Sequence, residues 1–208
     1  MPRYPQIKAA GIGVQGIVNQ GVIGECDIKD LEGLSIESKL KDKFNIEIIA
    51  QNDMNLIIYG YYHRQEDENM VYIYFPEDNY IGAGMVVRGQ GVKGKTNFAG
   101  ELSFLPFGIS RDKQIEQFNH PQTMISLVAQ SIASITAVIN PALILLAGRC
   151  VREGDLLVIQ REVEKTIPKK HTPRLIYRQD IHDDYMNGLK SLTLHQMSYQ
   201  LKLVKKQF

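Results

Sequence analysis

Residues 81–89 read Ile-Gly-Ala-Gly-Met-Val-Val-Arg-Gly, and Ala99-Gly100-Glu101 follows farther along the chain. Glycines at this density let a backbone turn sharply and approach a ligand closely, because no Cβ atom blocks either. Alone, the run is equally compatible with a bulged strand in an ordinary sheet. Its interpretation depends on two further segments, Gln51-Asn52-Asp53 upstream and residues 140–148 downstream.

Length and charge exclude several classes of protein. The 208 residues suffice for one large domain or two small lobes, and a formal net charge of +1 gives no bulk electrostatic reason to bind nucleic acid or an anionic membrane. Cys26 and Cys150 lie far apart and form no metal-ligand pair, which fits a reducing compartment. No apolar run approaches the roughly 20 residues of a membrane span, and the N-terminus has no signal-peptide pattern. We expect a cytoplasmic protein without a membrane partner.

Strands and helices are predicted to alternate. Apolar runs at 71–75, 84–87 and 142–147 predict strands, and apolar residues three and four apart predict a buried helix over 123–140. This alternation favours an α/β fold with a largely parallel sheet. The polar run 64–69 is a candidate lobe boundary or exposed loop. A last helix is predicted from Leu194, Met197, Leu201 and Val204.

Asn52 and Asp53 follow a predicted strand and open a predicted helix. Ligands of open α/β sheets bind beyond the carboxyl ends of strands, where an aspartate can take a proton from a substrate hydroxyl. The alternative is that both residues only cap the helix, and local sequence favours that reading. Both roles can coexist, since two side chains are available.

Glu101 follows Ala99-Gly100 after a glycine-rich turn. A carboxylate beside small residues can accept hydrogen bonds from two neighbouring sugar hydroxyls, although an acid on a solvated loop gives the same local pattern. Two stretches have the spacing of common phosphate loops: Gly89 to Thr96 reads Gly-Gln-Gly-Val-Lys-Gly-Lys-Thr, and Gly11, Gly13 and Gly16 are spaced as G-x-G-x-x-G. A predicted helix follows neither stretch directly, and such a loop requires one, so the spacing alone does not indicate a phosphate site. The histidines show no metal-ligand spacing: His63, His120, His171, His182 and His195.

Taken in order, these segments resemble the ROK family of bacterial repressors and sugar kinases. Residues 8–16 resemble its "GIgvPG" strand, 48–55 its "ENDanaa" segment, 81–101 its "iGaGivvnGklyrGanGfAGE" run and 140–148 its "nPe-IvlGG" strand. Asp183-Asp184 with Gly188 weakly resembles the "gddAgliGAa" that opens the family's final helix. The order and spacing match over most of the chain.

The resemblance implies a ribonuclease-H-like (actin-like ATPase) α/β fold with two lobes and an incomplete N-terminal lobe. Residues 1–64 are predicted to be the remnant of the small lobe, 65–178 the large lobe, and 179–208 a C-terminal segment whose helix packs back on the small lobe. It further implies that Asn52, Asp53 and Glu101 bind a sugar, that Asp53 is the general base if the chain is a kinase, and that three glycines face a nucleotide: Gly82, Gly84 and Gly148.

The departures from the family pattern fall on the nucleotide side. The first third of the family domain, with its phosphate loop, has no counterpart in these residues. Tyr80 stands where a glycine would leave room for phosphates, and Asp78 would repel them. Phe104 replaces a zinc-binding histidine, and the cysteine-rich zinc loop is missing from 105–122. We therefore expect no metal and no cofactor, with ATP and Mg²⁺ as the alternative.

Three hypotheses result. The first is a non-catalytic, sugar-sensing module of a ROK-type transcriptional regulator or a degenerate kinase relative, homodimeric, and contacting DNA only through a domain outside these residues. The second is an ATP-dependent hexose or N-acetylhexosamine kinase. The third is a structural or oligomerising unit without either function.

Overall fold

The computed structural model describes residues 7–26, 28–62 and 69–204, with side chains to residue 197. The predicted boundary between residues 64 and 65, and His63, lie outside the described residues. The division into lobes therefore stays a prediction.

A five-stranded sheet forms the centre of the larger part. Its strands are β5 (Met70–Tyr74), β6 (Gly82–Val87), β7 (Gln90–Gly91), β8 (Leu143–Ala147) and β9 (Arg174–Arg178), in the order β7-β6-β5-β8-β9. Strands β5, β8 and β9 are parallel, whereas β6 and β7 are antiparallel to their neighbours. The sheet is thus mixed and not largely parallel as predicted, because short connections fold β6 and β7 back as hairpins. The turn between β6 and β7 consists of Arg88 and Gly89, both with positive φ.

Helices cover both faces of this sheet. On one face, α4 (Met124–Ile139) and α5 (Leu156–Val163) bury the larger core, with Val128 and Ile132 of α4 fully enclosed. The predicted stripe of α4 is therefore confirmed as core. On the other face lie α2 (Asp53–Tyr62) and α6 (His182–Val204), with Ile57, Ile58 and Tyr61 of α2 against Tyr72 and Leu145 of the sheet. A shorter helix, α3 (Arg111–Asn119), precedes α4.

The N-terminal part has its own small core. Strand β1 (Ala9–Val14) runs parallel to β4 (Glu47–Asn52), and β2 (Gly16–Asn19) pairs antiparallel with β3 (Val22–Cys26). Between β3 and β4 lies α1 (Ile36–Phe44), which follows Ser35 and ends at the exposed Phe44. Buried Val14, Val18, Ile23 and Ala50 form the core of this part.

Helix α6 contacts α2 and β1 through positions that lack a side chain. A Cβ atom at Gly188 would collide with the carbonyl oxygen of Leu56, and one at Gly60 with that of Asp184. Gly11 of β1 lies against Leu189 and Thr193 of α6. The apolar stripe predicted for this helix is wrong at Leu194, which is 63% exposed; the side chains of Leu201 and Val204 lie outside the described residues.

Within the described ranges, no single helix is both long and apolar enough to cross a membrane. Helices α3 and α4 pass that test only as a pair, and the pair is bent by 119°.

Candidate functional site

A cleft of about 310 Å³ opens where the N-terminal part meets the five-stranded sheet. The β2–β3 hairpin, the β4–α2 junction, residues 74–82, the loop 98–104 and the start of α3 all contribute to its lining. Asn97, which immediately precedes the loop 98–104, donates a hydrogen bond from Nδ2 to the Val18 carbonyl of β2, 2.5 Å away. This contact links the loop to the hairpin on the opposite side of the cleft.

Asn52 and Asp53 line the cleft at the carboxyl end of β4. Asn52 Oδ1 accepts a hydrogen bond from the Asn55 backbone N–H (3.1 Å), which caps α2, and its Nδ2 donates to the Gly16 carbonyl (3.0 Å). Asp53 Oδ1 accepts from the Met54 N–H at 2.7 Å. The predicted capping role of Asn52 is confirmed, and both side chains still border the cavity.

Glu101 lines the same cavity, and the residue before it contacts β6. Gly100 has a φ of +108°, and a Cβ atom there would collide with the Ala83 carbonyl, so only glycine fits without strain. Ala83 N–H donates to the Gly100 carbonyl at 2.8 Å. This close approach fixes the half-buried Glu101 next to the sheet.

The three glycines predicted to face a nucleotide separate in the structure. Gly82 lines the cleft. Gly84 instead packs against α2, where a Cβ atom would collide with the Met54 carbonyl, and Gly148 (φ +108°) packs against the Phe75 carbonyl. The physical role of Gly84 and Gly148 is therefore close backbone packing, and neither borders the cavity.

One wall of the cleft is a stack of aromatic rings and a guanidinium. The Arg111 guanidinium lies 4.1 Å from the centroids of both Tyr80 and Phe104, and Phe98 packs on Phe104 at 4.9 Å. Arg111 Nε donates to Ser103 Oγ (3.2 Å). None of the sequence patterns described above predicted a functional role for Arg111. The available signal was a cation at the first position of a helix, where the dipole disfavours it.

Tyr74 also lines the cleft, at the end of β5. Burial raises the pKa of its phenol; the charges of Asp78 and Asp53 raise the pKa further, while Arg149 opposes them. The group is a neutral hydrogen-bond donor at physiological pH. Asp78 itself is exposed.

No metal centre is evident in the part of the chain that the structure describes: no three His, Cys, Asp or Glu side chains there lie close enough to hold an ion.

A sequence model described as the ROK family matches residues 1–115, more than half of the chain. The chain belongs to the ROK family. A search of curated protein sequences gave no significant match.

Solved structures of this family share the fold at low sequence identity. A ROK hexokinase from Thermus thermophilus is 17% identical (TM-score 0.70), with 92% of this chain and 80% of that one covered. A ROK family protein from Streptococcus pneumoniae in complex with sucrose is 20% identical (TM-score 0.69; 95% and 84% covered). A ROK transcriptional regulator, a homologue of the E. coli MLC protein, is 16% identical (TM-score 0.67; 88% and 61% covered). These likenesses confirm the predicted actin-like α/β fold.

Proposed function

We propose that this ROK family chain is a cytoplasmic sugar-binding module that senses its ligand without chemically changing it. One observation carries the proposal: Asn52, Asp53 and Glu101, which come from two separate segments, line a single cleft of about 310 Å³. That volume is at the lower end of the range for small-molecule sites.

The chemistry of these three side chains suits a polyol. Carboxylate oxygens accept hydrogen bonds from hydroxyl groups, and charge-assisted bonds of this kind are about twice as strong as neutral ones. The Asn52 amide can add one donor beyond its bond to Gly16. The exposed faces of Phe98 and Phe104 supply apolar surface beside these polar groups.

Sensing requires only that the ligand bind one arrangement of the cleft better than another. The cleft is built from the β2–β3 hairpin on one side and the sheet and loop 98–104 on the other, so a ligand that touches both favours closure. A solved relative described as a transcriptional regulator supports this role. Homodimerisation, and DNA contact through a domain outside these residues, are part of the same proposal.

The described residues do not fit a nucleotide cofactor. Tyr80 and Arg111 form the wall beside Gly82. The backbone of Gly84 packs against α2 and that of Gly148 against Phe75, so neither glycine is open to a phosphate. We therefore derive no chemical step through ATP or Mg²⁺.

The second candidate is a sugar kinase in which Asp53 accepts the proton of the attacking hydroxyl. The position of Asp53 at a strand end in the cleft favours it, as does the relative described as a hexokinase. The two candidates differ in turnover, since a sensor binds sugar and releases it unchanged.

The discriminating experiment measures ADP release from ATP with glucose, mannose, N-acetylglucosamine and N-acetylmannosamine, for the wild-type chain and for Asp53→Asn. The sensor proposal predicts no ADP release above the protein-free background in either. Sugar-dependent release that Asp53→Asn abolishes would establish the kinase instead. ADP release that persists in Asp53→Asn would contradict the sensor proposal and also the role of Asp53 as the base of a kinase.

A further inference from the structure

We infer that the ligand of this cleft carries a single carboxylate that pairs with Arg111, which makes it an acidic sugar such as a hexuronic acid. This inference rests on the proposed sugar-binding function and names the class of its ligand.

The Arg111 guanidinium has no carboxylate partner among the described residues. Its contacts are the two aromatic rings at 4.1 Å and the hydrogen bond from Nε to Ser103 Oγ. These contacts hold the group in place without neutralising it and leave its terminal N–H groups available. A planar guanidinium fixed in this way matches the two oxygens of a carboxylate or a phosphate.

The position of Arg111 strengthens the argument. It is the first residue of α3, so the positive end of the helix dipole adds to its charge. Asp112 in the same turn and the lining carboxylates moderate this positive charge, but none of them forms an ion pair with the guanidinium among the described residues. A ligand carboxylate that enters the cleft can therefore form that pair.

The other charged residues of the lining indicate whether the ligand carries one negative charge or two. Apart from Arg111, the ionised groups that the described lining contributes are the carboxylates of Glu25, Glu32, Asp53 and Glu101. Glu25 and Glu32 are exposed and are screened by salt, whereas Asp53 and Glu101 are half-buried. A phosphate dianion would be repelled by this set about twice as strongly as a carboxylate. A monoanion with several hydroxyl groups satisfies both the guanidinium and the acids.

The test is calorimetric titration of the chain with glucuronate, with glucose and with glucose 6-phosphate at constant ionic strength. The measured quantity is the ratio of affinities for glucuronate and glucose, and we expect it to be at least about tenfold in favour of glucuronate for one charge-assisted pair. Galacturonate with galactose, and mannuronate with mannose, are run as parallel pairs.

Three variants accompany the titration. Arg111→Gln removes the charge and should bring the ratio to about one. Arg111→Lys keeps a charge but loses the planar fork, so the ratio should fall in between. Arg161→Gln removes an exposed arginine of α5 that does not line the cleft and should leave the ratio unchanged.

The wild-type ratio tests the inference even if an Arg111 variant does not fold. A neutral hexose that binds as tightly as its uronate overturns the inference and leaves the proposed function intact. Tighter binding of glucose 6-phosphate than of glucuronate also overturns it. If no sugar of any class binds, both this inference and the proposed function fail.

Discussion

Asp184 is a fully buried carboxylate at the start of α6. Arg178 donates to its Oδ2 from Nη2 (2.9 Å) and Nε (3.2 Å), and the Tyr72 hydroxyl donates to the same oxygen at 3.4 Å. Burial and then the charge of Asp184 raise the pKa of Tyr72. Burial lowers the pKa of Arg178, but its hydrogen bond and charge interaction with Asp184 outweigh this, and the net pKa is raised. The group joins β5, β9 and α6.

Replacing Asp184 by Ala should lower the free energy of unfolding by about 2 to 3 kcal/mol. Breaking a buried pair costs about 3 to 5 kcal/mol, but the Arg178 side chain is 33% exposed and water can partly replace the lost partner. Urea unfolding followed by circular dichroism measures the loss. The matched control is Asp183→Ala next to it, an exposed acid whose loss should cost less than about 1 kcal/mol. Equal losses in the two variants would contradict this reading.

Cys150 provides a test by pH. Burial, and to a smaller extent the charge of Glu77, raises the pKa of its thiol from 9.0 to about 11. In a Cys26→Ala background, the rate of alkylation by iodoacetamide should therefore rise with a midpoint near pH 11 in the folded chain, and near pH 9.0 in urea. The folded chain keeps a proton that the unfolded chain loses in this window, so stability falls as the pH rises through it. A folded midpoint near 9 would contradict the burial of this thiol.

Contacts between residues close in sequence could be predicted from the sequence, whereas contacts made by the tertiary fold could not. Helix capping by Asn52 followed from the local pattern, because the Asn55 N–H that it caps lies only three residues away. The stack on Arg111 could not be predicted this way, since Tyr80, Phe104 and Arg111 are brought together only by the tertiary fold. The sugar-binding assignments of Asn52, Asp53 and Glu101 came from family resemblance, and their shared cleft was visible only in the structure.

Among the elements, helix α4 was predictable and the β2–β3 hairpin was not. The apolar repeat of α4 reports directly which face is buried. Residues 16–26 lack a clear alternating pattern, and their turn uses Gln20 and Gly21 with positive φ, where the usual signal would be Asn-Gly. The antiparallel direction of β6 and β7 was not predicted for a related reason: strand direction depends on the connecting turns, and the apolar pattern does not indicate how these turns fold.

The crossing of α2 and α6 makes a prediction about packing. Gly188→Ala should destabilise the chain by about 1 to 3 kcal/mol, because the added methyl collides with the Leu56 carbonyl and overpacking outweighs the helix propensity gained. Gly154→Ala is the control: a Cβ atom there meets nothing within 4 Å, and we expect a change within about 0.5 kcal/mol. Urea midpoints of both variants measure this. A neutral or stabilised Gly188→Ala variant would show that the helices do not cross at this position.

On the scale of the whole molecule, the cleft combines a carboxylate side with an aromatic and cationic wall. Asp53 and Glu101 are set in place by a helix start and by a strand edge, while Arg111 comes from a separate helix. Because three separate regions of the chain must be folded for the site to exist, ligand binding should stabilise the folded chain as a unit. A bound sugar should raise the thermal midpoint by mass action, in proportion to the logarithm of its concentration above the dissociation constant.

The central claim is that Glu101 and Asp53 bind a sugar in one cleft, and titration calorimetry with Glu101→Gln tests it most directly. We predict that the wild-type chain binds glucuronate or one of the neutral hexoses with a Kd below about 1 mM. Glu101→Gln should weaken that binding at least about tenfold, through loss of the charge-assisted bonds to hydroxyls. Glu153→Gln, which removes an exposed acid outside the cleft, should bind like wild type. Binding by Glu101→Gln that equals the wild type, or no binding of any sugar by the wild-type chain, would contradict the account.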